Sequence, residues 1–315
     1  MRRILALSAT LVVVLSAASA QAAPAMRIHV ATGIRDGHRV WVMKGQRVLI
    51  QGTRSFADQG YATAGIFFKG KEIATTRSPL HGKVGAANGV FLHFTARRVG
   101  AYKAVVKVFK SADTAHPVAT TSLGVHAIKI RGGAHIASHG RAVRLMQEGL
   151  RALAYVTPVS GRYDDATGRA VLAFRKVNGM ARIQTASKTV FKKLFRAQGG
   201  FKLKHPRAGR HVEFDWSRQV LVFAQGGVPV RIYHASSGKP STPTVFGTFH
   251  FYSKTPGTNA KGMVDSSYFI GGYAVHGYVD VPPYAASHGC IRVPIPDAAS
   301  IFNWIQLGQT IFVYR

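Results

Sequence analysis

Residues 276–292 read HGYVDVPPYAASHGCIR, and this stretch holds the only cysteine of the chain, Cys290, with His276 and His288 close to it. A lone cysteine cannot form an intramolecular disulfide. A four-ligand zinc site needs more sulfur or a tighter cluster of histidine and cysteine than this. A thiolate attacks best when a neighbouring imidazole takes or balances its proton. The pattern therefore favours a cysteine nucleophile with a histidine base over a buried cysteine that only fills space.

The residues next to Cys290 suit the separate parts of an attack on an amide, which needs a nucleophile, a proton shuttle and donors for the oxyanion. His276 is the best candidate for the base. Gly289 lets the backbone turn sharply, and the N–H groups at or near Gly289 and Cys290 are candidate oxyanion donors. His288 either polarises the substrate carbonyl or buttresses the loop. Ser287 is predicted to fix the loop by hydrogen bonding.

Two further residues are candidates for binding the substrate. Arg292 either clamps a substrate carboxylate through paired hydrogen bonds or is a solvated surface arginine. Tyr273 either walls the cleft or belongs to the core. The other histidines lack metal-ligand spacing, and there is no phosphate-cradling glycine loop, so we predict no metal and no cofactor.

The region from His211 to Arg315 resembles the catalytic domain of L,D-transpeptidases of the YkuD type. The pattern in 276–292, a His-Gly pair and then Ser-His-Gly-Cys, is the hallmark of that family. Residues 236–239 (SSGK) and 242–249 (TPTVFGTF) resemble its Ser-Thr-Gly-Lys and Thr-Pro-x-Gly-x-Phe segments, although Ser237 and a bulky pair before the second glycine depart from them. The two halves of the hallmark lie closer together than is usual, which predicts a small lid.

The resemblance implies a mainly β catalytic domain with a covering helix, acting on peptidoglycan stem peptides. Cys290 would attack the bond between the third residue, a diamino acid, and the fourth, D-alanine. The thioester would then pass to a side-chain amine of a neighbouring stem, giving a 3→3 cross-link. The resemblance also implies that His276 contacts the thiol, that the Gly277 carbonyl orients the His276 ring, and that carbapenems acylate Cys290.

Two other functions stay open. In an L,D-carboxypeptidase or cross-link hydrolase, water replaces the acceptor amine at the same cysteine. In a wall-binding protein, the site would be inactive, which the intact Cys290, His276 and Gly289 argue against.

The first 23 residues have the order of a secretory signal. A basic start precedes the apolar residues 4–15 and a small-residue stretch, so cleavage is predicted near Ala20 or Ala22. The mature protein is then expected outside the cytoplasm, at the cell wall. An uncleaved membrane anchor is the alternative, although the apolar stretch is short for a bilayer span.

The charge balance predicts anionic partners. Lysine and arginine number 42 against 12 aspartate and glutamate, a formal net charge of +30. Such a surplus indicates polyanionic surroundings. The basic residues are spread along the chain, and no zinc finger, basic heptad helix or aromatic RNA-binding signature is present, which disfavours nucleic acid. Together with the predicted export, the charge indicates the anionic polymers of a cell wall.

The patterns before residue 210 predict a multidomain chain. Short alternating strands over 26–130 predict an immunoglobulin-like β-sandwich, and Tyr102 resembles the tyrosine that pins a corner in such domains. A spacer role is favoured there over specific binding. Apolar residues at helical spacing over 141–197 predict a helical module, joined to its neighbours by linkers at 131–140 and 199–209.

The helical module resembles the three-helix peptidoglycan-binding module. Arg175 stands where that module usually has glutamine, so glycan binding and a spacer role both stay open. Asp165 or Thr167 is the predicted cap of the second helix. The catalytic domain, 210–315, is predicted to be β-rich with one helix over Asp297–Leu307.

Overall fold

A computed structural model describes residues 26–54, 60–83, 89–110 and 115–315. The predicted signal, residues 1–23, lies outside the described residues. In the described ranges, every helix is too short or too polar to cross a membrane.

The described residues before 130 form two β-sheets that enclose an apolar core. The strand order is β1-β4-β7 in one sheet and β2-β3-β9-β8-β5-β6 in the other. The Tyr102 hydroxyl accepts from the Arg98 N–H at 2.7 Å and lies 2.9 Å from the Arg98 carbonyl, which is the corner expected of this tyrosine. The strands are β1 Met26–Val30, β2 Ile34–Asp36, β3 Arg39–Met43, β4 Arg47–Arg54, β5 Gly60–Phe68, β6 Lys71–Pro79, β7 Val90–Thr95, β8 Gly100–Lys110 and β9 Ala119–Ile128.

Helices α1 (Arg141–Ala152), α2 (Asp165–Val177) and α3 (Lys188–Phe195) follow, as the apolar spacing predicts. The cap of α2 is Asp164, whose Oδ1 accepts from the Thr167 N–H at 2.8 Å. The predicted caps, Asp165 or Thr167, were therefore wrong. The nearer of the two is one residue from the observed cap. Asp164 has the extended backbone of a cap residue, whereas the next residue already belongs to the helix.

The C-terminal region has two further sheets and one helix. A five-stranded sheet has the order β12-β11-β10-β18-β13, and a four-stranded sheet the order β14-β15-β16-β17. Their apolar faces form one core together with α4 (Ile295–Trp304). The strands are β10 His211–Asp215, β11 Val220–Gln225, β12 Val228–His234, β13 Gly247–His250, β14 Ser253–Thr258, β15 Val264–Ile270, β16 Tyr273–Tyr278, β17 Ile291–Pro294 and β18 Thr310–Tyr314.

The bounds of α4 differ from the predicted helix, Asp297–Leu307. Pro296 stands in the first turn, where its missing N–H costs nothing, so the helix begins earlier. Ile305 takes an extended backbone, which ends the helix at Trp304.

One apolar core joins all three regions. Helix residues pack with Ile34 of β2 on one side and with Val222 and Ile232 of the five-stranded sheet on the other. The predicted second linker contributes Phe201 and Leu203 to this core, so it is not a solvated connection. The helices are thus in fixed contact with the region that carries Cys290.

Candidate active site

Two neighbouring parallel strands, β16 and β17, bring the halves of the hallmark together. Val275 pairs with Ile291 and His276 pairs with Arg292. Paired residues of a sheet present their side chains to the same face, and residues two apart on a strand share a face. His276 and Arg292 therefore share a face, and Cys290, directly before β17, lies beside β16, the strand that carries His276.

The His276 ring is held as a neutral base. It is 3% exposed, and its Nδ1 lies 2.9 Å from the Gly277 carbonyl oxygen. A carbonyl only accepts, so Nδ1 carries the proton and Nε2 is free to take one. Burial lowers the pKa of His276 and the Arg292 charge acts in the same direction, although the bond to Gly277 opposes them. The ring is therefore neutral at neutral pH, with Nε2 available as the acceptor.

The surroundings of Cys290 favour the neutral thiol at neutral pH. Cys290 is partly buried, and its Sγ donates to the Gly272 carbonyl at 3.6 Å. Burial raises the pKa of the thiol, and the Ala274 backbone and the charges of Arg292 and Lys261 only partly oppose that. In the described part of the chain, no hydrogen bond joins Sγ to His276. The expected thiol–imidazole hydrogen bond is thus not formed within the described residues, where Sγ donates to Gly272 instead.

Ser287 organises the loop as predicted from its place in the motif. Its Oγ donates to the Cys290 carbonyl at 2.6 Å and accepts from the Gly289 N–H at 3.0 Å. The Gly289 N–H is therefore already bonded, which is a correction to its role as a free oxyanion donor. Gly289 has φ +120°, and a Cβ there would lie 2.0 Å from Cε1 of Tyr273. Only glycine fits this close approach.

The remaining candidate site residues are Tyr273, His288 and Arg292. Tyr273 is partly buried, lies against Gly289 and packs on the core, which supports the core role considered for it. His288 is exposed, and its side chain makes no hydrogen bond within the described residues, which removes the buttress role. The Arg292 side chain is only 12% exposed, lies 4.1 Å from the Tyr278 ring centroid and approaches Asp280 at 3.9 Å. It is therefore not a solvated surface arginine.

The upstream motif segments wrap around this loop. The Ser237 carbonyl accepts from the Ser287 N–H at 2.8 Å, and the Ser287 carbonyl accepts from Thr242 Oγ1 at 3.0 Å. Thr244 Oγ1 donates to the Gly289 carbonyl at 2.7 Å. Residues 236–244 therefore fix the backbone of Ser287 and Gly289, which precedes Cys290.

Gln219 is a supporting residue that sequence reasoning missed. Its Oε1 accepts from the Ser237 N–H at 2.7 Å and its Nε2 donates to Ser237 Oγ at 2.9 Å. Gln219 is far from Ser237 in sequence and belongs to none of the motifs, so no local signal marks it. Among the residues with described positions, no cluster of histidine, cysteine, aspartate and glutamate is arranged to hold a metal ion.

Comparisons with known proteins agree on this region. Residues 209–313 match the model of the L,D-transpeptidase catalytic domain, YkuD. An L,D-transpeptidase structure from Xylanimonas cellulosilytica is 29% identical, with a TM-score of 0.54, covering 59% of this chain and 100% of that chain. Residues 209–313 are therefore a YkuD-type L,D-transpeptidase catalytic domain. The likeness to the Xylanimonas protein covers more of the chain than this domain.

Other solved structures are less similar. An L,D-transpeptidase from Stackebrandtia nassauensis is 21% identical, with a TM-score of 0.37, covering 58% of this chain and 95% of that chain. A mutant L,D-transpeptidase from Enterococcus faecium is 24% identical, with a TM-score of 0.30, covering 34% of this chain and 50% of that chain. No curated protein matches the sequence.

Proposed function

We propose that this protein is an exported L,D-transpeptidase that forms 3→3 cross-links between peptidoglycan stem peptides. The observation that carries the proposal is a buried His276, whose Nδ1 is bonded to the Gly277 carbonyl, on the strand beside the one that Cys290 directly precedes. A nucleophile and a base so placed, within a catalytic domain of this class, suit acyl transfer.

The first half of the reaction forms a thioester. Sγ rotates from the Gly272 carbonyl toward His276, whose Nε2 takes the thiol proton. The thiolate attacks the carbonyl carbon of the third residue of the donor stem, forming the S–C bond. The C–N bond to D-alanine breaks, and His276 returns its proton to the departing amine.

The second half of the reaction transfers the acyl group. The side-chain amine of a neighbouring stem attacks the thioester carbon and gives a proton to His276. The new C–N bond forms as the S–C bond breaks, and the thiolate regains its proton. Because the Gly289 N–H is bonded to Ser287, the oxyanion donors are the Cys290 N–H and the exposed His288. Arg292 holds a substrate carboxylate, and Tyr273 walls the cleft.

Incubation with disaccharide-tetrapeptide tests this function against its rivals. A transpeptidase gives a cross-linked dimer with loss of one D-alanine. An L,D-carboxypeptidase gives the tripeptide, because water takes the place of the amine, and a non-catalytic wall protein gives no change. Weighing the products of wild type and of Cys290→Ala by mass spectrometry separates the three.

The wider setting is proposed from charge and from the N-terminal pattern. A net charge of +30 favours retention on anionic cell-wall polymers, and the order of residues 1–23 favours export. This attraction is screened beyond about 8–10 Å near physiological salt, so binding to wall sacculi should weaken as salt rises.

The helical module gives less support for glycan binding. Arg175, at the position that departs from the peptidoglycan-binding pattern, is 6% exposed. Its Nε donates to the Ala181 carbonyl at 2.6 Å and its Nη1 to the Thr185 carbonyl at 3.3 Å. Arg175 therefore ties the α2–α3 connection together and is not presented to a ligand.

A further inference from the structure

The loop between the two halves of the hallmark, residues 279–286, is held through its backbone carbonyls. Tyr284 is 60% exposed, yet its carbonyl accepts from Ser236 Oγ at 2.6 Å. The carbonyls of Val281 and Pro283 also have side-chain donors. The donor to Pro283 belongs to the helical module, and the donor to Val281 is in contact with it.

Lys176 of α2 is connected to the loop through the side chain of His234. It is 3% exposed, and its Nζ donates to the carbonyls of Gln219 and Ala235, both at 3.0 Å, and lies 2.7 Å from His234 Nδ1. His234 Nε2 lies 2.8 Å from the Val281 carbonyl, so Nε2 carries the proton and Nδ1 accepts from Lys176. Burial, reinforced by Lys176, lowers the pKa of His234 to about 3, which keeps the ring neutral.

Arg182, in the α2–α3 connection, touches the loop directly. Its Nη1 donates to the Pro283 carbonyl at 2.9 Å and its Nη2 to the Ser217 carbonyl at 2.8 Å. Arg169 of α2 adds a bidentate pair with Asp297 at 2.9 and 3.2 Å. Asp297 lies in the first turn of α4, the helix that packs against β16. The module thus contacts both the loop and the support of the strand that carries the base.

We propose that the helical module positions the active-site loop, with Arg182 acting on Pro283 and Lys176 acting through His234 on Val281. Neither residue touches the reacting atoms, so both are positioning residues. This inference rests on the proposed function for its kinetic consequence, because the loop follows the base strand and leads into Ser287. A misplacement of 1 Å at a catalytic site can lower the rate on the order of 100-fold.

The test compares Arg182→Met and Lys176→Met with Arg196→Met, in the full chain. Arg196 is exposed and follows α3, so it is the control for loss of a surface arginine. Hydrogen exchange of peptides covering 279–286 should accelerate in both test variants and stay at the wild-type rate in Arg196→Met. The kcat for the tetrapeptide reaction should fall about tenfold or more in the test variants, within the range that misplacement causes. Alkylation of Cys290 by iodoacetamide, a small reagent that needs only the thiol, should be unchanged.

The outcomes separate this inference from the proposed function. If Lys176→Met fails to fold because its buried acceptors lose their donor, Arg182→Met decides, since its side chain is exposed. Wild-type exchange of 279–286 and wild-type kcat in Arg182→Met would overturn the inference. If the wild type itself does not process tetrapeptide, the proposed function falls, while the exchange of the loop still decides whether the module holds it.

Discussion

The catalytic pair combines a thiol whose pKa is raised with an imidazole whose pKa is lowered, so both are neutral at rest. Burial is the first cause in each case, because it disfavours the thiolate and the imidazolium alike. A resting ion pair is therefore not formed. In the proposed mechanism, proton transfer from Cys290 to His276 therefore accompanies attack, and the base is needed near neutral pH.

Replacement of the base should slow acylation in a pH-dependent way. His276→Ala should slow acylation of Cys290 between about 100-fold and 10,000-fold at neutral pH, because the thiol loses its proton acceptor. Since the pKa of the thiol is raised, the lost rate should return in part only as pH rises above the usual cysteine range. The rate of carbapenem adduct formation at stepped pH measures this, with His38→Ala, an exposed histidine, as control. A wild-type rate in His276→Ala at neutral pH would remove the histidine from the mechanism.

A methyl group at Gly289 should lower the stability of the folded protein. In Gly289→Ala the new Cβ would lie 2.0 Å from the Tyr273 ring, at φ +120°. We expect a loss of about 1–3 kcal/mol in the free energy of unfolding, from strained backbone alone. Thermal and denaturant unfolding measure it. Gly257→Ala is the control, because Gly257 has φ +76° but open space around it. Equal effects of the two substitutions would show that the contact with Tyr273 is unimportant.

At the scale of elements, the connection before β10 is fixed by a buried carboxylate. Glu213 is 0% exposed and accepts from the N–H groups of Lys204 and His205 at 3.0 and 2.8 Å, and from Tyr314. Burial alone would raise the pKa of Glu213, but these hydrogen bonds and one from His211 outweigh it and lower the pKa. Glu213 therefore ties the connection to the five-stranded sheet.

Acid should weaken the protein through Glu213. A carboxyl whose pKa is lower in the folded state adds stability above its unfolded pKa, and that stability is lost as pH falls through its folded pKa. Glu213→Gln should lower the free energy of unfolding by about 1–3 kcal/mol at neutral pH. The reason is that an NH2 donor replaces one carboxylate oxygen that accepts hydrogen bonds in the wild type. The difference from wild type should shrink in acid. Unfolding by denaturant at several pH values tests this, with exposed Glu72→Gln as control; a difference that stays constant with pH would contradict it.

The elements that repeat a simple pattern could be predicted from the sequence. The strands on either side of the Gly226-Gly227 turn and the three helices follow from apolar periodicity alone. Their ends depend on single residues, such as Asp164 as the cap and Ile305 in extended backbone, which periodicity does not encode. The glycines of residues 199–200 predicted a linker, yet Phe201 is buried against the helices because of a partner distant in sequence.

The site could be predicted only in part, because some of its features are local in sequence and others depend on contacts between distant residues. The hallmark residues stand together in sequence, so the loop-fixing hydrogen bonds of Ser287 could be predicted from it. The turn of Sγ toward Gly272, the bonded Gly289 N–H and the support from Gln219 depend on contacts made only after folding.

At the scale of the whole molecule, the helices and the catalytic domain share one apolar core. Val220, Val222 and Ile232 of the five-stranded sheet are at most 1% exposed because the helices cover them. Burying such a side chain contributes about 1.5–3 kcal/mol. The catalytic domain without its module would therefore present an apolar face to water.

A fragment of residues 210–315 should thus be less stable than one of 131–315. We expect a lower melting temperature and self-association for the shorter fragment, because the exposed sheet face pairs with itself. Calorimetry and light scattering at matched concentrations measure both. If the 210–315 fragment stays monomeric and has the same melting temperature as the 131–315 fragment, the shared core contributes nothing to stability.

Intact-mass spectrometry with a carbapenem tests directly whether Cys290 is the nucleophile of this protein. Attack by Sγ on the lactam carbonyl opens the ring and leaves the whole drug on the enzyme as a thioester. We expect one added drug mass on wild type and none on Cys290→Ala, which has no atom to carry the acyl group. A drug adduct on Cys290→Ala, or tetrapeptide cross-linking by that variant at the wild-type rate, would contradict it.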